Sequence, residues 1–139
     1  MNVDVNYLAI LLAAVSSMVV GMVWYLPNLY GKTWMKLTKV DPSKTPDNPA
    51  KTYGLTFVAS LITAYVLAHV AFLSNKYFGN SFIQEAVTTA FWLWLGLTGA
   101  RILVHDLFER RSTKLTLINS GHELATILVM GLIIGVFGV

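Results

Sequence analysis

The residues able to do chemistry gather in two places. Arg101 and His105 stand near the end of one apolar run, and His122 and Glu123 near the start of the next. Trp94, Thr98, Arg101 and His105 recur at spacings that place them on one face of a helix. Asn119, Glu123 and Thr126 share a face of the following helix, with His122 on its edge. Such a set suits three chemistries: an Arg–carboxylate ion pair, proton transfer through His105 or His122, or a polar path for a solute. It is a poor metal site. Zinc ligands are spaced more tightly, and Arg101 would repel a cation. The serine-nucleophile pattern GxSxG and the phosphate loop GxxxxGK[ST] do not occur. No catalytic residue, metal or cofactor is assigned.

Depth argues for pairing. Glu85 and Arg101 lie 16 residues apart on one predicted helix, roughly 24 Å at about 1.5 Å per residue. A bilayer core is about 30 Å thick, so at least one of the two charges falls inside it. Glu123 is equally far from the last residue, Val139. Antiparallel helices would bring Arg101 and Glu123 to similar depth, and buried charges are usually paired. The sequence therefore predicts an Arg101–Glu123 pair within a patch of Thr98, His105, Asn119 and His122. Two plainer readings stand beside it. Ser120-x-x-Glu123 matches a capping box, which would start the last helix late. The pair could also be structural glue.

Trp24, Tyr25, Tyr30 and Trp34 form a second cluster, with Lys32 and Lys36 beside them. Indole and phenol rings prefer the head-group level, so anchoring is the simplest role. Lining a pocket together with Trp94 is the alternative. The two lysines suit lipid head groups.

These residues need elements to hold them. The chain has 139 residues, 55% hydrophobic and 12% charged, with no cysteine, and a mean hydropathy of +0.62. Soluble domains carry roughly 25% charged residues, so this composition suits a lipid-facing surface. Disulfides and thiolate metal sites are excluded. The net charge of +3 comes without the basic face of a nucleic-acid reader. The predicted fold is all-α: four transmembrane helices in one bundle, at 6–26, 49–75, 81–105 and 114–138. The first apolar run continues into Trp24 and Tyr25 and has no basic leader, so it reads as a retained span rather than a signal peptide. Trp34, Met35 and Leu37 suit a short interfacial turn. Pro42, Pro46 and Pro49 forbid a regular helix across the middle of the first loop, and Asn48-Pro49 reads as an N-cap with proline at the first helical position. Ser81 with Gln84 has capping-box spacing. Small-residue stripes recur at Ala13/Ser17/Gly21, Ser60/Ala64/Ala68, Gly96/Ala100 and Gly131/Gly135, and allow close helix contact.

The chain resembles a family of small bacterial membrane proteins classed as a domain of unknown function. The resemblance rests on Gly21, Trp24-Tyr25, Tyr30-Gly31-Lys32 and Trp34, and more weakly on Leu117-Ile118-Asn119-Ser120-Gly121. It implies a four-helix, prokaryotic membrane protein and lends no catalytic residues. Where the family pattern leads one to expect an aromatic residue such as tyrosine, this chain has His122.

Basic residues set the expected orientation. Loop 1 holds five lysines against Asp41 and Asp47, and loop 3 holds Arg110, Arg111 and Lys114; loop 2 has only Lys76. Loops 1 and 3 are thus expected in the cytoplasm and both termini outside, in a bacterial inner (plasma) membrane. The expected partners are membrane lipid and a second copy, a dimer being favoured; nucleic acid is not. The leading functional reading is a non-enzymatic structural or accessory membrane protein. The alternatives are a small transporter or channel using the polar patch, and a membrane enzyme on a lipid-like substrate.

Overall fold

The computed structural model describes residues 3–41, 43–44, 46 and 48–138; Pro42, Asp47 and Val139, named above, lie outside them. The described residues fold into helices α1 (Tyr7–Trp24), α2 (Gly31–Thr38), α3 (Pro49–Phe78), α4 (Phe82–Leu93), a π-helical segment (Trp94–Gly99), α5 (Ala100–Phe108) and α6 (Thr113–Phe137). α4, the π segment and α5 run on as one rod. Four helices are therefore long and apolar enough to cross a membrane: Tyr7–Trp24, Pro49–Phe78, Phe82–Phe108 and Thr113–Phe137.

Local chemistry explains the boundaries. Asn6 caps α1 by accepting from the Ala9 amide, and Asn48 caps α3 by accepting from Lys51, with Pro49 following it. Ser81 accepts from Gln84 at the start of α4, and Ser112 from Leu115 at the start of α6. Each side-chain oxygen satisfies an amide that the helix leaves free. α6 thus begins at Thr113, and Glu123 lies well inside it rather than capping it. α3 ends at Gly79, whose φ of 70° is left-handed, a conformation glycine adopts without steric cost. α1 stops at Trp24, two residues before the predicted end, because Leu26 opens the turn that leads into α2. There Gly31 packs so closely that a Cβ would stand 2.2 Å from the Tyr25 carbonyl oxygen.

The four spans form an up-and-down bundle in which α1, α3, α4 and α6 follow one another around the axis. α6 packs most extensively against α1 and α4, and α3 lies between those two on the other side. The core is built from small residues: Ala13, Ala64, Ala71, Ala86 and Ala90 are fully buried, with Leu67, Met130 and Ile134 as the large side chains among them. Gly131 and Gly135 press on α4, where a Cβ would meet Ala86 and Ile83 backbone atoms at 2.9 and 2.6 Å. The stripes on α1, α3 and α6 are therefore used inside the chain, as close packing in lipid requires. Gly96 and Ala100 face outward, and nothing lies within 4 Å of a Cβ at Gly96.

The Asn6 side chain donates to the Phe137 carbonyl at 3.5 Å, so the two described ends of the chain meet at one end of the bundle. Tyr25, Glu109 and Arg111 line one cavity at the other end, which brings loops 1 and 3 together there.

Candidate functional site

Three indoles converge on three consecutive residues of α6. Trp24, at the end of α1, donates its Nε1–H to the Ile118 carbonyl at 3.2 Å. Trp34 of α2 donates to Asn119 Oδ1 at 3.1 Å. Trp94, opening the π segment, donates to the Ser120 carbonyl at 3.0 Å. A buried indole needs an acceptor for its one donor, and each finds it on a different face of the same helical turn. Gly121 completes the fit, because its missing side chain leaves room for the Trp24 ring, 3.2 Å from a Cβ position there. The rings also hold one another: Trp24 stacks on Tyr30 at 4.7 Å, and Tyr25 tilts against Trp34 at 5.2 Å. Lys32 and Lys36 remain exposed on α2.

Next to this clasp is His122. Its ring lies 5.1 Å from Tyr25 and 6.2 Å from Trp24, and its Nδ1 is 3.4 Å from a Glu123 carboxylate oxygen. The other nitrogen, Nε2, is buried without a hydrogen-bond partner, as is Thr126 Oγ1 one turn further along α6. Both side chains line a crevice of about 240 Å³ together with Ser17, Ser60, Thr98 and Glu123. Most of its hydroxyls are tied back to their own helices. Ser17 bonds to the Ala14 carbonyl and to Ser60 Oγ, at 2.7 and 2.8 Å, and Thr56 donates to Thr52, Ser60 to Thr56 and Thr63 to Ala59, at 2.9–3.0 Å. Such back-bonding engages the proton and leaves acceptor lone pairs on the oxygens. The crevice is thus rich in acceptors and carries one carboxylate.

A second cavity of about 360 Å³ lies at the loop end, lined by Tyr25, His105, Asp106, Glu109, Arg111, Asn119, Glu123 and Ile102. Glu123 belongs to both walls. The Tyr25 phenol is held above its ordinary 10.0, first by burial and then by the negative charge of Glu123.

The predicted Arg101–Glu123 pair does not form. No carboxylate among the described residues lies within 4.0 Å of the Arg101 guanidinium, and its side chain faces outward. The π segment is the reason. A π turn inserts a residue into the α repeat, and one residue is about 100° of helix rotation. Beyond it the inward positions come one residue later than the 3.6 spacing requires: Ile102 and Asp106 turn in, whereas Arg101 and His105 are exposed. Thr98, inside the segment, still lines the crevice, and His105 borders the second cavity.

Asp106 is the residue that sequence reasoning missed. It is buried, accepts from Thr116 Oγ1 at 2.7 Å, and lies 3.7 Å from Arg111 Nε. Arg111 also pairs with Glu109. Gly99 leaves room for the Trp94 ring over the π segment, since a Cβ there would meet it at 3.1 Å.

The geometry ties together two stretches that lie far apart in the sequence. Trp24-Tyr25, Gly31 and Trp34 form one half of the clasp, and Asn119-Ser120-Gly121 the other. The family described as Protein of unknown function (DUF1761) matches residues 8–135. The chain belongs to that family. No curated protein and no solved structure matches it. It is a small multi-pass membrane protein in which these two stretches build the indole clasp, with His122 set behind it.

Proposed function

We propose that the chain is a non-enzymatic accessory protein of the bacterial plasma membrane that holds a small polar ligand in the crevice between α1, α3 and α6. One observation carries this reading: His122 and Thr126, both lining the crevice, carry buried polar atoms, Nε2 and Oγ1, that have no hydrogen-bond partner among the described residues. Buried polar atoms almost always have a partner, and a polar space of about 240 Å³ is large enough for a small solute or several waters. The acceptor-rich lining selects a ligand with N–H or O–H donors. Proton-transfer catalysis finds less support. His122 has a carboxylate beside it, but no hydroxyl touches its free nitrogen.

Thermal unfolding in lipid nanodiscs tests the reading. A small donor such as methylammonium should raise the midpoint by mass action, and acetate, an acceptor, should not. Thr126→Val should abolish the effect. If no solute shifts the midpoint of either protein, the crevice does not bind ligand.

Transport is the second reading, favoured by Glu123 lying on both cavities. The far half of the bundle is closed by Leu67, Met130 and Ile134, so passage requires these helices to part. Substrate-dependent flux in proteoliposomes would favour it.

The basic loops 1 and 3 face the cytoplasm and both termini the outside, in keeping with the positive-inside rule. Lys32 and Lys36 meet lipid phosphates there. A homodimer uses the outward Gly96/Ala100 face, which has no neighbour within the chain. Cysteine-accessibility mapping and mass measurement in mild detergent test these two points.

A further inference from the structure

Away from the clasp, at the other end of the bundle, Glu85 sits in the first turn of α4 and is 5% exposed. Its oxygens accept from the Ser74 hydroxyl of α3 and from the Asn80 side-chain amide, the latter at 2.6 Å. Both donors are neutral. No basic side chain among the described residues comes within 4.0 Å of the carboxylate. A charge at the edge of a span is usually paired with an opposite one, and the first-turn helix dipole alone is a weak substitute.

The carboxylate borders a groove of about 550 Å³ between α3 and α4. Asn80, Gln84 and Glu85 stand at the loop end beside Phe78; Thr88 and Thr89 lie a turn further in, and the deepest part is apolar, with Val70, Trp92 and Leu93. Glu85 to Leu93 is eight residues, about 12 Å of helix. Trp92 is 62% exposed on this wall, and an exposed ring at membrane depth is free to lie against an acyl chain. A negative, polar end continuing into an apolar slot has the pattern of an amphiphile with a cationic head. An ionised carboxylate has about four lone-pair sites and donates nothing. Two hydrogen bonds leave room for N–H donors, which a primary ammonium supplies and a quaternary one lacks.

We propose that this groove binds a membrane lipid whose head group carries a primary ammonium, with the ammonium on Glu85 and an acyl chain along α3 and α4. Neither the clasp nor the His122 crevice enters into this site.

Native mass spectrometry of the delipidated full chain tests it. Phosphatidylethanolamine competes with phosphatidylcholine, which has the same charge but no N–H, and with phosphatidylglycerol, which is anionic. The expected result is one retained phosphatidylethanolamine, preferred about tenfold over phosphatidylcholine, the worth of a charge-assisted hydrogen bond. E85Q keeps the shape and should remove the preference. Equal binding of phosphatidylcholine, a preference for phosphatidylglycerol, or an unchanged preference in E85Q would each overturn the proposal. The competition on the unaltered chain does not depend on the variant folding.

Discussion

Gly31 shows how closely the clasp is fitted. A methyl group there would stand 2.2 Å from a backbone oxygen, which no side-chain rotation relieves. Gly31→Ala should therefore displace α2, withdraw Trp34 from Asn119 and cost about 2–3 kcal/mol by overpacking. Unfolding in mild detergent checks this, with Gly54→Ala as control, since nothing lies within 4 Å of a Cβ there. Tyr25 offers a second probe. Its phenol is raised by burial first and by Glu123 second, so the folded state ionises later than the unfolded one. The stability it contributes is fully present below the unfolded value near 10.0 and is lost as pH rises through the folded value. Glu123→Gln removes the lesser cause and should bring the phenolate transition part of the way down. The absorbance titration is read as the difference from Tyr25→Phe; a wild-type transition at the ordinary value would contradict the placement of both residues. The aromatic residues of this site were legible as a cluster from their spacing alone. Their partners were not, because Trp24 and Trp94 bond to backbone carbonyls of Ile118 and Ser120, which no residue type announces.

The π segment decides which face of the third span looks inward. The apolar run located the third span and Ser81 its cap, through local chemistry; its faces were read from the 3.6-residue repeat. That repeat misplaced Arg101, though not His105, which lines the loop-end cavity with Asn119 and Glu123, because the period changes between Trp94 and Gly99, inside a run too uniformly apolar to reveal the slip. Deleting Leu97, 70% exposed, should convert the π turn to α. The deletion removes the extra residue together with the wide turn, so Ile102 and Asp106 should keep their inward positions and Asp106 its bond to Thr116. Thr116→Val tests the contact without moving the helix. It removes a donor to a buried carboxylate and should cost about 1–3 kcal/mol. Circular dichroism melts in lipid measure both. If the Leu97 deletion loses as much stability as Thr116→Val, the π segment does not hold the extra residue that places Asp106.

At the scale of the whole molecule, a small-residue core holds four helices together while leaving polar space at one end. α6 is the common wall: alanines and glycines bring α1 and α4 against it, and the three indoles fix its first turns. The four spans and the two basic loops could be read from composition and charge. The crevice could not, because it arises where Ser17, Ser60, His122 and Thr126 from separate helices meet. The site stands or falls on what occupies that space. The most direct measurement is a structure of the protein in lipid, at a resolution that shows ordered water. Non-protein density should lie within about 2.7–3.2 Å of both His122 Nε2 and Thr126 Oγ1, with the three indole bonds to Ile118, Asn119 and Ser120 intact. A closed crevice, in which those two atoms bond to the protein itself, would contradict it.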